Sequence, residues 1–307
     1  MKRLFLIFIL LFLSATSSIA GGLFAGCYSS GFGTHSWRAD TEAYIARVEA
    51  DGGTVINEQL VNDAYQFLAD HSLSPLVWVD ANFGVKKDGS NKVSKLYDLS
   101  SGNKDAAQVT ADNQPTWTAS QQNGLATISF DGTNDNLQEG TQLGKPSSFT
   151  AFTVFKASII TSQTALWMNR VDGVAYPFWG AILSYNSNGD MGLLVSKESA
   201  TAGVIGGRTD TGKIGTTSYY LRTDRFATGA NVLYIYLSGG AAETLTYAYQ
   251  MVTENSGTSF DFRIGMYGDS AVYYQGYIGS LCIFSSSLSD TDRGYVRDFI
   301  NSKYAAY

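Results

Sequence analysis

The spacing of apolar positions changes along the chain from a helical period to a strand period. Between residues 40 and 74, apolar side chains recur every three or four positions in two segments, which predicts a helical hairpin. The first helix is expected to begin at Asp40 or Thr41, and the second at Thr54 or Asn57. Beyond this hairpin, short apolar runs are separated by Gly, Asn, Asp and Ser, which predicts β-strands.

The strand-like runs are numerous, and no fixed-period repeat relates them. The clearest predicted strands span residues 149–157, 164–169, 178–185, 192–197, 218–223, 232–238, 244–251 and 260–266. In the run 232–238, Leu233, Ile235 and Leu237 occupy alternate positions, and we expect this set to face the core. Many short strands of this kind predict two stacked antiparallel sheets.

A long last strand and a capped helix close the chain. Both alternating sets of this strand are apolar: Leu281 and Ile283 form one, and Ile278, Cys282 and Phe284 form the other. The strand is therefore expected inside a layered structure, with Leu281 and Ile283 in the core. Ser289 as N-cap, with Asp292 at the capping-box position, predicts a helix that lies over a sheet edge or an outer face.

Two segments, one at each end of the predicted strands, resemble a known family. The last strand has the form G-x-I-G-x-L, and the Leu-Ser-Asp helix after it ends in Lys303 and Tyr304. The earlier segment contains Trp78, the run Tyr97 to Ala106, Pro115 and the run Phe130 to Leu137. Together they resemble the two ends of a concanavalin A-like, laminin G-like jelly-roll domain, as found in bacterial surface and phage tail-fibre proteins.

The resemblance implies a mainly β protein, in which a two-sheet antiparallel jelly-roll sandwich follows a short helical hairpin and carries a C-terminal helix. It leaves the function open, because this fold serves lectins, adhesins, virion fibres and glycoside hydrolases alike. We expect a signal peptide at 1–20, a Gly-rich arm at 21–39, the hairpin at 40–74 and the sandwich at 75–307.

The first residues have the composition of an export signal. Lys2 and Arg3 precede an apolar run from Leu4 to Leu13, and Ser18-Ile19-Ala20 fits the small-x-small cleavage rule. A protein that is secreted or displayed on a cell or virion surface is therefore expected. Two alternatives stay open at this point: an uncleaved N-terminal anchor, and lipidation at Cys27.

Composition limits the classes of partner and of chemistry. The chain has a formal net charge of -6 and no cluster of Lys and Arg, which argues against nucleic acid and anionic membranes as partners. The two histidines, His35 and His71, lie outside the predicted sandwich and are expected at the surface or at a helix end.

The motifs of catalysis are missing from the sequence. Retaining glycoside hydrolases of the jelly-roll class carry two carboxylates on one strand face, and no E-x-D-x-E pattern occurs here. The sequence also lacks the HExxH, GxSxG and phosphate-loop motifs. We therefore expect a protein that is not an enzyme.

A carbohydrate site needs an aromatic ring for the apolar face of a sugar and polar side chains for its hydroxyl groups. One neighbourhood of the sequence supplies both, and the predicted ligand-binding residues are Trp167, Arg170, Trp179, Tyr185, Asn186 and Asp190. Both tryptophans could equally be core residues. The pairs Tyr219-Tyr220 and Tyr273-Tyr274 each offer one ring to either face of a strand.

Two further sites are predicted with alternatives. Asp131 and Asp135 could hold Ca²⁺ in a loop that is otherwise expected to bond its own backbone amides, and no other cofactor is expected. Cys27 and Cys282 could form a disulfide, as exported proteins allow, or remain two free thiols.

The sequence thus predicts a non-catalytic extracellular module that binds a glycan or mediates adhesion, with a cell-surface polysaccharide as partner. The alternative is a structural or decorating protein of a virion or an extracellular assembly. In that case the Gly-rich arm and exposed tyrosines would contact neighbouring subunits or further copies of the chain.

Overall fold

The arrangement of helices and strands is taken from a computed structural model. The structure describes residues 37–139, 143–144, 146–160, 163–171, 178–183, 189–196, 204–209, 212–227, 232–246, 260–267 and 272–307. The described residues all belong to one compact unit, Trp37–Tyr307. The predicted signal peptide, Cys27, His35 and most of the predicted arm lie outside the described residues.

Three α-helices occur in the described part of the chain: α1 (Ala39–Ala50), α2 (Glu58–Asp70) and α3 (Asp290–Tyr304). Asn57 caps α2, since its side chain accepts a hydrogen bond from the amide of Leu60 at 2.9 Å. Ser289 caps α3, because its hydroxyl accepts from the amide of Asp292 at 3.0 Å and donates to the Asp292 carboxylate at 2.7 Å. The predicted capping positions of α3 are confirmed.

The described part of the chain contains 18 strands. They are β1 (Thr54–Val55), β2 (Val77–Asp80), β3 (Gly84–Lys87), β4 (Val93–Leu96), β5 (Ala106–Ala107), β6 (Thr116–Gln122), β7 (Leu125–Asp131), β8 (Leu137–Glu139), β9 (Phe149–Ala157), β10 (Thr164–Val171), β11 (Phe178–Leu183), β12 (Met191–Ser196), β13 (Val204–Arg208), β14 (Tyr220–Ala227), β15 (Val232–Leu237), β16 (Glu243–Thr246), β17 (Phe260–Ile264) and β18 (Gln275–Phe284). The predicted strand 149–157 has the observed bounds of β9, and the other predicted strands differ at their ends.

The strands form two antiparallel sheets that stack face to face. Sheet A has ten strands in the order β1-β3-β4-β5-β8-β17-β10-β11-β12-β13. Sheet B has eight, in the order β16-β15-β14-β9-β18-β7-β6, with β2 paired to β18. Apolar side chains from both sheets fill the space between them, among them Val79, Ile128, Phe155, Leu193 and Leu233. The predicted two-sheet antiparallel sandwich with a helical hairpin and a C-terminal helix is confirmed.

The helices cover much of the outer face of sheet B. A second apolar cluster joins Val61 of α2 and Ile300 of α3 to Phe152 of β9. The hairpin is also tied to sheet A, because β1 lies between the two helices and pairs with β3. Sheet B therefore has an apolar layer on each side, and this explains why both alternating sets of its central strands are apolar.

The last strand follows the predicted alternation only in part. Leu281 and Ile283 lie in the core between the sheets, and Cys282 lies in the cluster beneath the helices, as predicted. Ile278 was expected on the Cys282 side but lies in the core between the sheets. The pairing of β18 with β9 shifts between Ile278 and Ser280. An extra residue at such a bulge reverses the alternation on one side of it.

The segments that resemble the jelly-roll family make contact with one another. The Trp78 indole donates to the hydroxyl of Ser280 at 3.1 Å. The Tyr304 hydroxyl donates to the carboxylate of Asp80 at 2.8 Å. The ring of Tyr304 also packs on Gly279, where a Cβ atom would lie only 2.6 Å from a ring carbon. These signature residues hold α3 on the sheet, which is a structural role.

A buried ion pair connects the two sheets across the core. Arg222 and Asp224 have side chains with no exposed surface, and the Arg222 guanidinium donates to the Asp224 carboxylate at 2.7 to 2.9 Å. Its remaining donors reach the backbone carbonyls of Ile182 at 2.7 Å and Gly192 at 2.6 Å. Strand β14 of sheet B is thereby bonded to β11 and β12 of sheet A.

Candidate functional site

The two predicted ligand-binding tryptophans lie inside the sandwich. Trp167 and Trp179 are 0% and 1% exposed, and their rings pack around Phe149. Their indole nitrogens donate to the Thr153 hydroxyl at 3.2 Å and to the carbonyl of Gly144 at 3.3 Å. Strands β10 and β11 direct both rings into the core, so the interpretation as sugar-stacking rings is corrected to the core role that the sequence left open.

Of the other predicted ligand-binding residues, the structure describes the side chain of Asp190 alone. Asp190 is buried, with 1% of its surface exposed. The backbone of Arg170 belongs to β10, but its side chain lies outside the description, as do Tyr185 and Asn186 entirely. A role in ligand binding for these last three residues stays a prediction.

In each predicted tyrosine pair, one ring is buried and the other is only partly buried. Tyr219 belongs to the apolar cluster beneath the helices, whereas Tyr220 packs against the core between the sheets. Tyr274 is fully buried, and Tyr273 is half-buried. Tyr273 lines a small cavity of about 140 Å³, and Tyr219 lines a larger one.

A cavity of about 460 Å³ lies on the outer face of sheet B, beside the residues that follow α3. Its lining is formed by Gln121, Gln122, Lys156, Thr217, Ser218, Tyr219, Ala305, Ala306 and Tyr307, and we name it the tyrosine pocket. Small-molecule sites have volumes of about 300 to 1,000 Å³. The tyrosine pocket is therefore large enough for a ligand of one or a few sugar rings.

The hairpin of β6 and β7 forms one wall of the tyrosine pocket. Asn123 and Gly124 both have positive φ angles, 49° and 77°, as a tight two-residue hairpin turn requires. The Gln122 and Asn123 side-chain amides donate to the carbonyls of Ala305 and Lys303, each at 2.7 Å. The hairpin thereby fixes the end of α3 and the residues after it as the opposite wall.

Tyr219 and Lys156 of the lining contact each other, and Tyr277 lies next to them outside the lining. The Lys156 ammonium lies 5.7 Å from the ring centre of Tyr219 and 5.9 Å from that of Tyr277. The Tyr219 hydroxyl is 3.5 Å from the hydroxyl of Thr127, and burial raises the pKa of Tyr219. The phenol of Tyr219 is therefore neutral at physiological pH and can act as a hydrogen-bond donor or acceptor.

The tyrosine pocket combines aromatic surface with hydrogen-bonding groups but has no carboxylate side chain in its lining. The half-exposed ring of Tyr307 lies beside Gly239 and is the second tyrosine of the lining. Sequence reasoning singled out Tyr219 as one of a pair but missed Lys156, the glutamines and Tyr307. The dipeptide Asn123-Gly124 is a hairpin signal that could have located one wall.

A second concave region lies between the helical hairpin and the loop after β4. Two adjoining cavities of about 440 and 310 Å³ share Asp40, Tyr65 and Leu99 among their lining residues. Their polar groups are already paired within the protein: Arg47 donates to Asp105 at 2.9 Å, and the Tyr65 hydroxyl donates to the carbonyl of Leu99 at 2.9 Å. This region therefore offers a ligand fewer unpaired groups than the tyrosine pocket does.

The acidic loop after β7 bonds its own backbone. The Asp131 carboxylate accepts from the amides of Thr133 and Asn134 at 2.7 and 3.3 Å, and the Asp135 carboxylate accepts from the amide of Asp131 at 3.0 Å. In the part of the chain that the structure describes, no three His, Cys, Asp or Glu side chains are grouped to hold a metal ion. The calcium hypothesis stays a prediction.

Cys282 is a free thiol in the structure and has no exposed surface. It lies on the face of β18 opposite Leu281 and Ile283, and helices cover that face. Burial raises the pKa of this thiol. Cys282 therefore does not form the predicted disulfide in this structure. Cys27, the other predicted partner, lies outside the described residues.

Comparisons with known proteins support the architecture. No family model matches the sequence, and the search of curated proteins likewise gave no match. Domain 4 of AbnA, a GH43 extracellular arabinanase from Geobacillus stearothermophilus solved with arabinotriose, is similar in structure, with a TM-score of 0.52, 14% identity, and coverage of 74% of this chain and 98% of that domain.

Two further solved structures are similar over the same share of this chain. A mutant of HCR/D has a TM-score of 0.50 and 12% identity, and the match covers 73% of this chain and 51% of that one. Trypanosoma rangeli sialidase has a TM-score of 0.49 and 12% identity, with coverage of 74% and 32%. At such identities, the similarity to the arabinanase domain and to the HCR/D mutant establishes the fold, a β-sandwich, and nothing finer. Of the helices formed by described residues, none is long and apolar enough to cross a membrane.

Proposed function

We propose that the protein is an exported, non-catalytic module that binds a carbohydrate in the tyrosine pocket. The observation that carries this proposal is the combination of Tyr219 and Tyr307 with the side chains of Gln121, Thr217 and Ser218 in one cavity. An aromatic ring can pack on the apolar face of a sugar, while amide and hydroxyl groups bond the sugar hydroxyls.

The glutamines are oriented to accept hydrogen bonds from a ligand. Gln122 uses its amide nitrogen to bond Ala305, and Gln121 uses its own to bond the carbonyl of Ala119 at 3.1 Å. The amide oxygens of both side chains, and the second N–H of each amide, thus remain for sugar hydroxyls. Because their nitrogens are anchored, these acceptors are held in place before a ligand arrives.

The absence of carboxylates from the pocket lining supports a binding role over hydrolysis. Glycoside hydrolases act through a pair of Asp or Glu residues that flank the scissile bond. The lining of the tyrosine pocket is described completely and contains neither residue type. The arabinotriose in the structure of the arabinanase domain supports carbohydrate as the class of ligand for a sandwich of this kind.

The test is a glycan array with the full-length protein, followed by calorimetric titration of the glycans that bind. Tyr307→Ala removes an exposed ring and should weaken binding by about twofold to tenfold, which is the scale of one aromatic contact. Tyr307→Phe keeps the ring and should stay within about twofold of the wild type. The matched control is Tyr295→Ala, because Tyr295 is 44% exposed on α3 and does not line the pocket.

Two results would overturn the proposal. One is the absence of binding to any glycan on the array by folded protein. The other is an equal loss of affinity in Tyr295→Ala and Tyr307→Ala, since that would place the ligand elsewhere or show a general effect of surface tyrosines.

A further inference from the structure

The ammonium of Lys156 lies over aromatic rings and not beside a carboxylate, an arrangement that Lys87 shares over Trp117 in the described chain. Lys86, Lys95 and Lys303 each form an ion pair with an aspartate, at distances from 2.8 to 3.5 Å. The ammonium of Lys156 instead lies over Tyr219 and Tyr277, and no carboxylate of the described residues forms an ion pair with it. Among the described residues, the Lys156 ammonium at the tyrosine pocket thus contacts two rings and pairs with no carboxylate.

The backbone that carries Lys156 is fixed on both sides. The Tyr274 hydroxyl donates to the carbonyl of Lys156 at 2.8 Å. Tyr277 of the neighbouring strand is the registered partner of Lys156 in the pairing of β18 with β9. Gly276 permits this close approach, because a Cβ there would lie 2.3 Å from the carbonyl oxygen of Lys156. The lysine stem therefore leaves the sheet from a rigid position.

Lys156 is the single charged side chain among the residues that line the tyrosine pocket. The carbonyls at the end of α3 would oppose an anion, but those of Lys303 and Ala305 already accept hydrogen bonds from Asn123 and Gln122. Among the side chains of the lining, an anionic group would meet one positive charge and neutral hydrogen-bonding groups. In a chain of net charge -6, such a local positive site favours an anionic group over a neutral one.

We infer that the tyrosine pocket selects a carbohydrate that carries a carboxylate, such as a uronic acid, and that Lys156 binds this carboxylate. The inference rests on the proposed function of the same pocket. The sugar ring would pack on a tyrosine while its carboxylate forms a charge-assisted hydrogen bond with the ammonium, which is among the stronger polar contacts in proteins.

The test compares trigalacturonic acid with its trimethyl ester, which removes the three negative charges and adds three methyl groups. Calorimetric titration of the full-length wild type should show at least about fivefold tighter binding of the acid, a modest value because the pocket is open to solvent. Lys156→Gln should bind the acid and the ester equally, whereas Lys156→Arg should keep the preference. High salt should weaken the binding of the acid and leave the binding of the ester nearly unchanged.

Lys87 offers a matched control. Its ammonium lies 4.9 Å from the ring centre of Trp117, in a cation–π contact outside the pocket. Lys87→Gln removes the same charge from the protein as Lys156→Gln does and should leave the preference for the acid unchanged. An equal effect of the two substitutions would assign the preference to net charge and overturn the inference.

Failure of this inference differs from failure of the proposed function. If acid and ester bind the wild type equally and Tyr307→Ala weakens both, the carbohydrate site stands and its selectivity for acids is overturned. A preference for the acid that survives in Lys156→Gln also overturns the role of Lys156. If no glycan of any charge binds, both proposals fall together.

Discussion

Asp135 shows at the residue scale how burial changes the chemistry of a carboxylate. Its side chain is 2% exposed, and one of its oxygens has no hydrogen-bond partner, with the Lys92 ammonium 3.8 Å away. Burial raises the pKa of Asp135 to about 6; the nearby Asp131 carboxylate adds to this rise, and Lys92 opposes it. Between pH about 4 and about 6, the native state therefore holds a proton at this site that the unfolded chain releases.

This linkage predicts a pH dependence of stability with a definite sign. Because the pKa is higher in the folded state, the stabilisation is present below pH about 4 and is lost as the pH rises through about 6. Asp135→Asn imitates the protonated form and keeps an acceptor for the amide of Asp131. We expect this variant to be more stable than the wild type by about 1 to 2 kcal/mol at pH 7.5 and to lose that advantage near pH 4.

The measurement is urea denaturation of both proteins across this pH range. Asp112→Asn is the control, since Asp112 is an exposed carboxylate and its removal changes the net charge equally. Lower stability of Asp135→Asn at pH 7.5 would contradict the prediction.

At the scale of elements, alanine substitutions at two glycines near α3 should change the stability of the protein in opposite directions. Gly279 of β18 lies beneath the Tyr304 ring, so Gly279→Ala would force the end of α3 away from the sheet. We expect a loss of about 1 to 3 kcal/mol in the free energy of unfolding, as for other overpacked sites. Chemical denaturation of the variant measures this loss, and an unchanged midpoint would show that α3 docks without Tyr304.

Gly294 provides the opposite case within α3 itself. A Cβ atom at Gly294 would meet nothing within 4 Å, and its φ angle is not positive. Gly294→Ala should therefore raise the free energy of unfolding by about 0.5 to 1 kcal/mol, through the higher helix propensity of alanine. The same denaturation experiment checks this gain, and a decrease in stability would contradict it.

At the scale of the whole molecule, the pair of Arg222 and Asp224 couples the sheets. Arg222→Met should lower the free energy of unfolding by about 3 to 5 kcal/mol, because Asp224 would stay buried without its partner and would have to remain unpaired or bind a proton. The double variant Arg222→Met, Asp224→Leu should recover much of this loss, since an apolar pair can fill the same space.

Denaturation of the single and double variants tests this coupling. If the double variant is no more stable than Arg222→Met, the guanidinium contacts with the carbonyls of Ile182 and Gly192 would be the main source of stability. That outcome would contradict the expected dominance of the unpaired carboxylate.

The part of the fold that sequence predicted depends on local patterns. The capped start of α3 and the bounds of β9 follow from residues that are adjacent in the chain. The position of Ile278 could not be predicted in the same way, because it depends on a register shift against β9. A bulge changes which face a side chain occupies without any change in the apolar pattern.

The sequence by itself determined the class of fold: apolar alternation, turn residues and helix caps are short-range signals, and they specify strands, helices and a layered sandwich. Only the tertiary structure decided which aromatic residues are core and which line a cavity. Trp167 and Trp179 were attractive candidates by composition, yet the facing sheet buries both. The tyrosine pocket, in contrast, unites residues from 121 to 307, because long-range pairing places a hairpin, a central strand and the end of α3 side by side.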